Sequence, residues 1–126
     1  MSEQSIPKQN KVVLVVDDDL DAGVLLEKFL TNAGNKVLLG SSGKEGLELF
    51  ERESPDVIIL DIALGDMSGI DVAKEMRKKK GNSLNIIGIS AYSYDILEKN
   101  NPESIKLFTH FCFKPFKHKE LIELIK

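Results

Sequence analysis

A chain of 126 residues with 42% apolar and 29% charged side chains has the size and composition of one globular domain, and 9 Gly and 4 Pro are too few for collagenous or low-complexity classes. With 17 Lys and Arg against 20 Asp and Glu, the net charge of −3 leaves no field to draw in nucleic acid or an anionic membrane. Cys112 stands alone, no apolar run approaches the roughly 20 residues of a spanning helix, and residues 1–10 lack a signal-peptide core, so the expected setting is the cytoplasm.

A polar tail, residues 1–10, precedes the single folded domain expected over 11–126. Val12–Val16 is rich in β-branched residues without polar alternation, the pattern of a strand covered on both faces. Asp17, Asp18 and Asp19 follow it, and Asp19 and Asp21 are read as helix caps. Leu25, Leu26, Phe29, Leu30 and Ala33 then recur at helical spacing, and Gly34 stands where a left-handed C-terminal cap is expected. Val37–Leu39 predicts the second strand. Ser42 and Glu45 form a capping-box pattern for a second helix with Leu47 and Phe50 inward, and Pro55 marks its exit.

Val57–Leu60 predicts the third strand, with Asp61 at its end. Ser68 and Asp71 open a third helix that turns Val72, Ala73 and Met76 inward; the run Arg77-Lys78-Lys79-Lys80 reads as positive charge at its negative dipole end, before Gly81. Ile86–Ile89 predicts the fourth strand, followed by Ser90 and Ala91, then a weak helix over Ser93–Asn100 that Pro102 stops. Phe108–Phe113 is aromatic and partly alternating, a fifth strand at a sheet edge, followed by Lys114 and Pro115. Lys117–Lys126, carrying Leu121, Ile122, Leu124 and Ile125, predicts a last helix that ends with the chain.

Five strands alternating with five helices predict an α/β doubly wound parallel sheet, because parallel neighbours need helical crossovers. Ligands in such sheets bind outside the carboxyl ends of the strands, at the switch point of the strand order. Asp17, Asp18, Asp61, Ser90, Ala91 and Lys114 all fall at strand ends. Any one of these carboxylates reads equally well as a helix cap. Three together are different, since two like charges about 4 Å apart repel by roughly 4 kcal/mol at an effective dielectric near 20. Positive charge is required there: Lys114 supplies one, and a hard divalent cation with oxygen ligands supplies the rest, Mg²⁺ usually taking one or two carboxylates, waters and a phosphate oxygen.

From Lys11 to Lys126 the chain resembles the receiver domain of two-component response regulators, of the chemotaxis-regulator kind. The resemblance is carried, in order, by the acidic pair Asp17-Asp18, by Asp61, by Ser90-Ala91 and by Lys114-Pro115, and by the stretch Asp61 to Gly69 with Leu64, Met67 and Gly69 at the family's offsets. It implies a flavodoxin-like strand order 2-1-3-4-5 with helices on both faces. It also implies that Asp61 accepts a phosphoryl group from a histidine kinase or histidine phosphotransfer protein, a self-catalysed reaction on its own aspartate. Mg²⁺ would be held by Asp18 directly, by Asp17 mainly through water, by Asp61 and by the Ala63 carbonyl. Ser90, with Ala91 beside it, and Lys114 would bind phosphoryl oxygens, and the Lys114–Pro115 peptide is implied to be cis. Phe111 takes the place of the aromatic that turns inward as the Ser moves toward the phosphate; it reads equally well as an aromatic filling core space. The output would pass to an effector domain or protein through the fourth helix and fifth strand, where Phe108, Phe111 and Phe113 offer a surface.

The chain departs from the family in four places. Gly65 replaces a usual proline, so a less rigid loop is expected after Asp61. The Ser90–Lys114 span is longer than typical, Asn100-Asn101-Pro102 interrupts it, and Leu107-Phe108 replaces the usual Gly-Ala, which predicts a fourth helix that is short, shifted or disordered. Ala63 and Tyr92 occupy positions that tune acyl-phosphate lifetime; Ala63 cannot orient a water and Tyr92 can cover the phosphate, so slow self-dephosphorylation is expected. Two other readings compete. A haloacid-dehalogenase-type phosphatase needs a carboxylate where Ala63 stands, and a phosphorylation-independent interaction module has no use for the intact acidic set. A nucleotide-binding sheet lacks its Gly-rich loop, and His110 and His118 have no metal-ligand spacing and read as ordinary strand and helix-surface residues.

Overall fold

A computed structural model describes residues 8–125; residues 1–7 of the expected tail and Lys126 of the expected last helix lie outside them. The apolar runs form β1 (Val12–Val16), β2 (Lys36–Gly40), β3 (Val57–Asp61), β4 (Asn85–Ser90) and β5 (His110–Phe113). All pair parallel in the order β2-β1-β3-β4-β5, as the resemblance implied. Between them run α1 (Leu20–Asn32), α2 (Gly43–Glu53), α3 (Gly69–Lys80), α4 (Tyr94–Asn100) and α5 (His118–Leu124).

The period-two alternation of a strand splits each run between two layers. Val13, Val15, Val57 and Ile59 face Leu26 and Leu30 of α1 and Leu121 and Ile122 of α5, whereas Leu14, Val16, Ile58 and Leu60 face Phe50, Val72, Ala73 and Met76 of α2 and α3. The central strands are thus closed to water on both sides, each fully buried Leu or Ile contributing about 1.5–3 kcal/mol. Because the chain steps from β1 outward to β2 and then back past β1 to β3, the carboxyl ends of β1 and β3 flank the switch point.

Helix ends follow short-range chemistry, with several corrections to the sequence reading. Asp19 caps α1 by accepting the Ala22 N–H, but Asp21 lies inside the first turn and is not a cap. Gly34 follows α1 with φ of 96°, the left-handed region expected of it. Ser42 caps α2 through the Glu45 N–H, yet the Glu45 carboxylate reaches one residue further back, to the Ser41 N–H and hydroxyl, so the expected reciprocal box is not closed on Ser42. The strand at the edge begins at His110, not Phe108, and α5 ends at Leu124 where the sequence predicted continuation. The end of α5 is met by Gln9, whose amide donates to the carbonyls of Ile122 and Ile125 and accepts from Asn35.

Arg77 is not a dipole-end surface charge. Its guanidinium donates to the carbonyls of Leu107, Gly81 and Leu84 and to the Thr109 hydroxyl, at 2.9, 3.1, 2.5 and 3.2 Å, tying α3 to the entrances of β4 and β5. Lys78 and Lys79 do remain on the surface, paired with Glu75 and Glu51. The interrupted span resolves into a short α4 followed by a 3-10 turn, Ser104–Leu107, which packs on α3.

Candidate functional site

Asp17 and Asp61 are placed by the ladder itself. The Asp17 N–H donates to the Gly40 carbonyl, extending the β1–β2 pairing, and the Ile62 N–H donates to Ile89, extending the β3–β4 pairing past Asp61. Both carboxylates are therefore fixed at the floor of a cavity of about 300 Å³ and buried, at 4% and 6% exposure, while Asp18 is exposed on its rim. One oxygen from each of Asp17, Asp18 and Asp61 lies within 4.8 Å of the others.

Each buried carboxylate is held by a neighbouring backbone amide. Asp17 Oδ1 accepts the Asp19 N–H and Asp61 Oδ1 accepts the Ala63 N–H, both at 2.9 Å. Asp61 Oδ2 accepts from Lys114 Nζ at 3.2 Å. The lysine reaches it from the end of β5, where its own N–H donates to the Ser90 carbonyl and the Lys114–Pro115 peptide is cis. Ser90 is buried, and its hydroxyl accepts the Tyr92 N–H at 2.9 Å while retaining a proton to donate.

Electrostatics show what the cluster lacks. Burial pushes the Asp17 carboxyl above its ordinary value; the Asp19 N–H and the Lys114 charge pull it down, and the Asp61 charge pushes it further up. Burial alone would lower the Lys114 ammonium, but the hydrogen bond and charge of Asp61, with the charges of Asp17 and Asp19, hold it above its ordinary value. One ammonium thus faces several carboxylates. The donor set is all oxygen, and ligands about 2.1 Å from one Mg²⁺ stand roughly 3–4 Å apart, so a 4.8 Å cluster closes on such an ion by side-chain rotation. The residues present fit the cation.

Ala63, Ala91 and Tyr92 line the same cavity, Tyr92 with 57% of its surface exposed. Phe111 does not line it. Its half-buried ring lies beside Phe108 and Phe113, with centroids 4.9 and 5.7 Å away, and meets the Tyr94 ring in a T-shaped contact at 6.2 Å. Two features escaped the sequence reading. An apolar groove of about 340 Å³ runs between α1 and the start of α5, lined by Leu25, Leu26, Pro115 and Phe116 and open to Asp17 and Lys114 at one end; Leu25, counted on the helical stripe, is 56% exposed there. His118, read as a surface residue, packs its ring 4.9 Å from Phe29. The second feature is Asp66, whose carboxylate oxygens accept the N–H groups of Gly43 and Lys44. A bridge between partners 23 residues apart leaves no local signature.

A family model of the response regulator receiver domain matches residues 13–126. The sporulation initiation phosphotransferase F of Bacillus subtilis (strain 168) is 28% identical over 93% of this chain and 92% of its own length. The alkaline phosphatase synthesis transcriptional regulatory protein PhoP of the same organism is 42% identical over 56% of this chain, a match spanning 30% of that longer protein. The structure of the response regulator protein TrrA from Thermotoga maritima in complex with Mg²⁺–BeF aligns with a TM-score of 0.79 at 34% identity, covering 90% of this chain and 94% of that one. Since the match runs from within β1 through α5, over the sheet order and strand-end acids that the resemblance required, the chain belongs to the response regulator receiver domain family.

Proposed function

We propose that this domain accepts a phosphoryl group on Asp61 from the phosphohistidine of a histidine kinase or histidine phosphotransfer protein, with Mg²⁺ required, and that the modified state changes its binding to an effector domain or protein. The observation that carries this reading is the meeting of three carboxylates within 4.8 Å with Lys114 Nζ 3.2 Å from Asp61 Oδ2. In the transfer, an Asp61 oxygen forms the new P–O bond as the donor's P–N bond breaks, and the imidazole departs with its electron pair and takes up a proton. Asp18, Asp17, Asp61 and the Ala63 carbonyl would hold Mg²⁺, which when bound offsets negative charge on the phosphoryl oxygens and the carboxylates. Lys114 contributes a charge-assisted contact and the Ser90 hydroxyl a donor to the other oxygens.

The domain is a stoichiometric acceptor and not a turnover catalyst for a separate substrate. The groove beside Lys114, with exposed Leu25, supports docking of the phosphodonor against α1 next to Asp61. On the other side of the cavity, Ser90 leads through Tyr92 to α4 and to the Tyr94–Phe111 contact, a route from phosphate to the aromatic edge of β5. Among the described residues no helix is long and apolar enough to cross a membrane, and a cytoplasmic setting agrees with the buried, unpaired Cys112.

Incubation with acetyl phosphate and Mg²⁺ followed by intact mass measurement tests the reading. One added phosphoryl group, lost in Asp61→Asn and on chelation of the metal, is expected. An unmodified wild-type protein, or a group that persists in Asp61→Asn, would overturn it.

A further inference from the structure

Asp66 is a carboxylate that phosphoryl transfer itself does not use. It stands on the loop between β3 and α3, and its Oδ1 and Oδ2 accept the N–H groups of Gly43 at 2.8 Å and Lys44 at 3.0 Å. Those are the first two residues of α2, whose N–H groups have no partner within the helix. Ser42 already takes the third, from Glu45, so the cap of α2 is completed from a different element.

The same loop is held at two more points. Met67 packs against Gly43, where a Cβ would come within 2.8 Å of its sulfur, and Ala63 bridges to Ser68, closing the loop on itself. On its other side the loop presses on the acidic cluster: a Cβ at Gly65 would lie 3.2 Å from Asp18 Oδ2. Gly65 therefore allows the close approach but gives the loop no stiffness of its own, which was the reason to expect a looser segment. What anchors the loop is the start of α2, by way of Asp66 and Met67.

We propose that Asp66 is a positioning residue for Mg²⁺: by clamping the loop after Asp61 onto the start of α2, it holds the Ala63 carbonyl and the backbone beside Asp18 where the ion requires them. This rests on the reading of Asp17, Asp18 and Asp61 as a Mg²⁺ site. The physical reason is that a backbone carbonyl has no rotamer with which to adjust, and Mg²⁺ demands near-octahedral ligands at about 2.0–2.1 Å, so its affinity follows the placement of the loop.

Calorimetric titration of Mg²⁺ into the wild type, Asp66→Ala, Asp66→Asn and Glu45→Ala tests the clamp, with circular dichroism confirming that each variant is folded. Glu45 also binds at the start of α2, through Ser41, but does not touch the loop, so its variant reports what loosening that helix end does by itself. Asp66→Ala is expected to weaken Mg²⁺ about tenfold, in the range of outer-sphere effects, and Asp66→Asn less, because one acceptor oxygen remains. Glu45→Ala should bind within twofold of the wild type, and at saturating Mg²⁺ Asp66→Ala should take phosphate from acetyl phosphate at the wild-type rate. Unchanged affinity in Asp66→Ala, equal weakening in Glu45→Ala, or a rate defect in Asp66→Ala that excess Mg²⁺ does not restore overturns the proposal while leaving the metal site standing. A wild type that binds no Mg²⁺ overturns the metal site and the clamp together.

Discussion

Asp17 and Asp66 show how differently two carboxylates in one domain are treated. Asp17, closed in at the end of β1, has its carboxyl pushed up by burial, which makes its negative charge costly. Asp66, open to water, is held below its ordinary value by the N–H groups of Gly43 and Lys44. Its contribution to stability is therefore complete above the unfolded carboxyl value of 3.8 and disappears as pH falls through the lowered folded value. Urea midpoints of the wild type and Asp66→Asn should differ by a constant amount above about pH 5 and converge below about pH 4; a difference that persists unchanged into strong acid contradicts the hydrogen bonds. Ala63 and Tyr92 carry a second expectation at this scale. Both line the phosphate cavity without a group placed to activate water, so the acyl phosphate should decay slowly. The pair Ala63→Asn with Tyr92→Glu should hasten its decay by about tenfold or more, followed by mass spectrometry after the phosphodonor is removed. The strand-end acids were legible because parallel topology sends every strand end to one rim. Asp66 was not, because its partners are 23 and 22 residues back along the chain.

At the scale of elements, the most informative difference from the sequence reading is Arg77. Four successive basic residues at a helix end have an electrostatic explanation that makes no distinction among them. Helical spacing removes Lys78 and Lys79 from the inward stripe of Ala73 and Met76 but leaves Arg77 and Lys80 on it; Lys80 ends the helix and is exposed, and Arg77 is the charge that turns inward. Its fork of donors closes three carbonyls and the Thr109 hydroxyl, fixing the 3-10 turn that follows the short fourth helix. Arg77→Met should lower stability by about 2 kcal/mol, since the carbonyls lose a shared donor, and should raise amide exchange across residues 104–109 more than in the central strands. Equal exchange in that segment would show that the turn does not depend on the guanidinium. The shortness of α4 was legible from Asn100 to Pro102; its replacement by a turn packed on α3 needed the tertiary partner. The early end of α5 has the same origin, because the Gln9 amide meeting its last carbonyls lies at the far end of the sequence.

Over the whole molecule, two apolar layers hold a sheet whose switch point gathers every charged group of the site. Strand runs, helix order and the acidic rim could be read directly, since each depends on residue spacing and on topology alone. The groove beside Lys114 could not, because helical periodicity places Leu25 on the same stripe as Leu26 and only the packing of α5 decides which is covered. The proposed function draws on the same arrangement: the buried acids favour a cation, the cation would admit a phosphoryl group, and Ser90 and Tyr92 would connect that group to α4 and β5. The most direct measurement is a crystal structure grown with Mg²⁺ and beryllium fluoride, which mimics a phosphoryl group. Beryllium is expected bonded to an Asp61 oxygen, with its fluorides within reach of Ser90 and Lys114 and one Mg²⁺ on Asp17, Asp18, Asp61 and the Ala63 carbonyl. Beryllium fluoride or Mg²⁺ bound elsewhere, or a cavity left empty at saturating concentrations of both, would contradict the reading of this site.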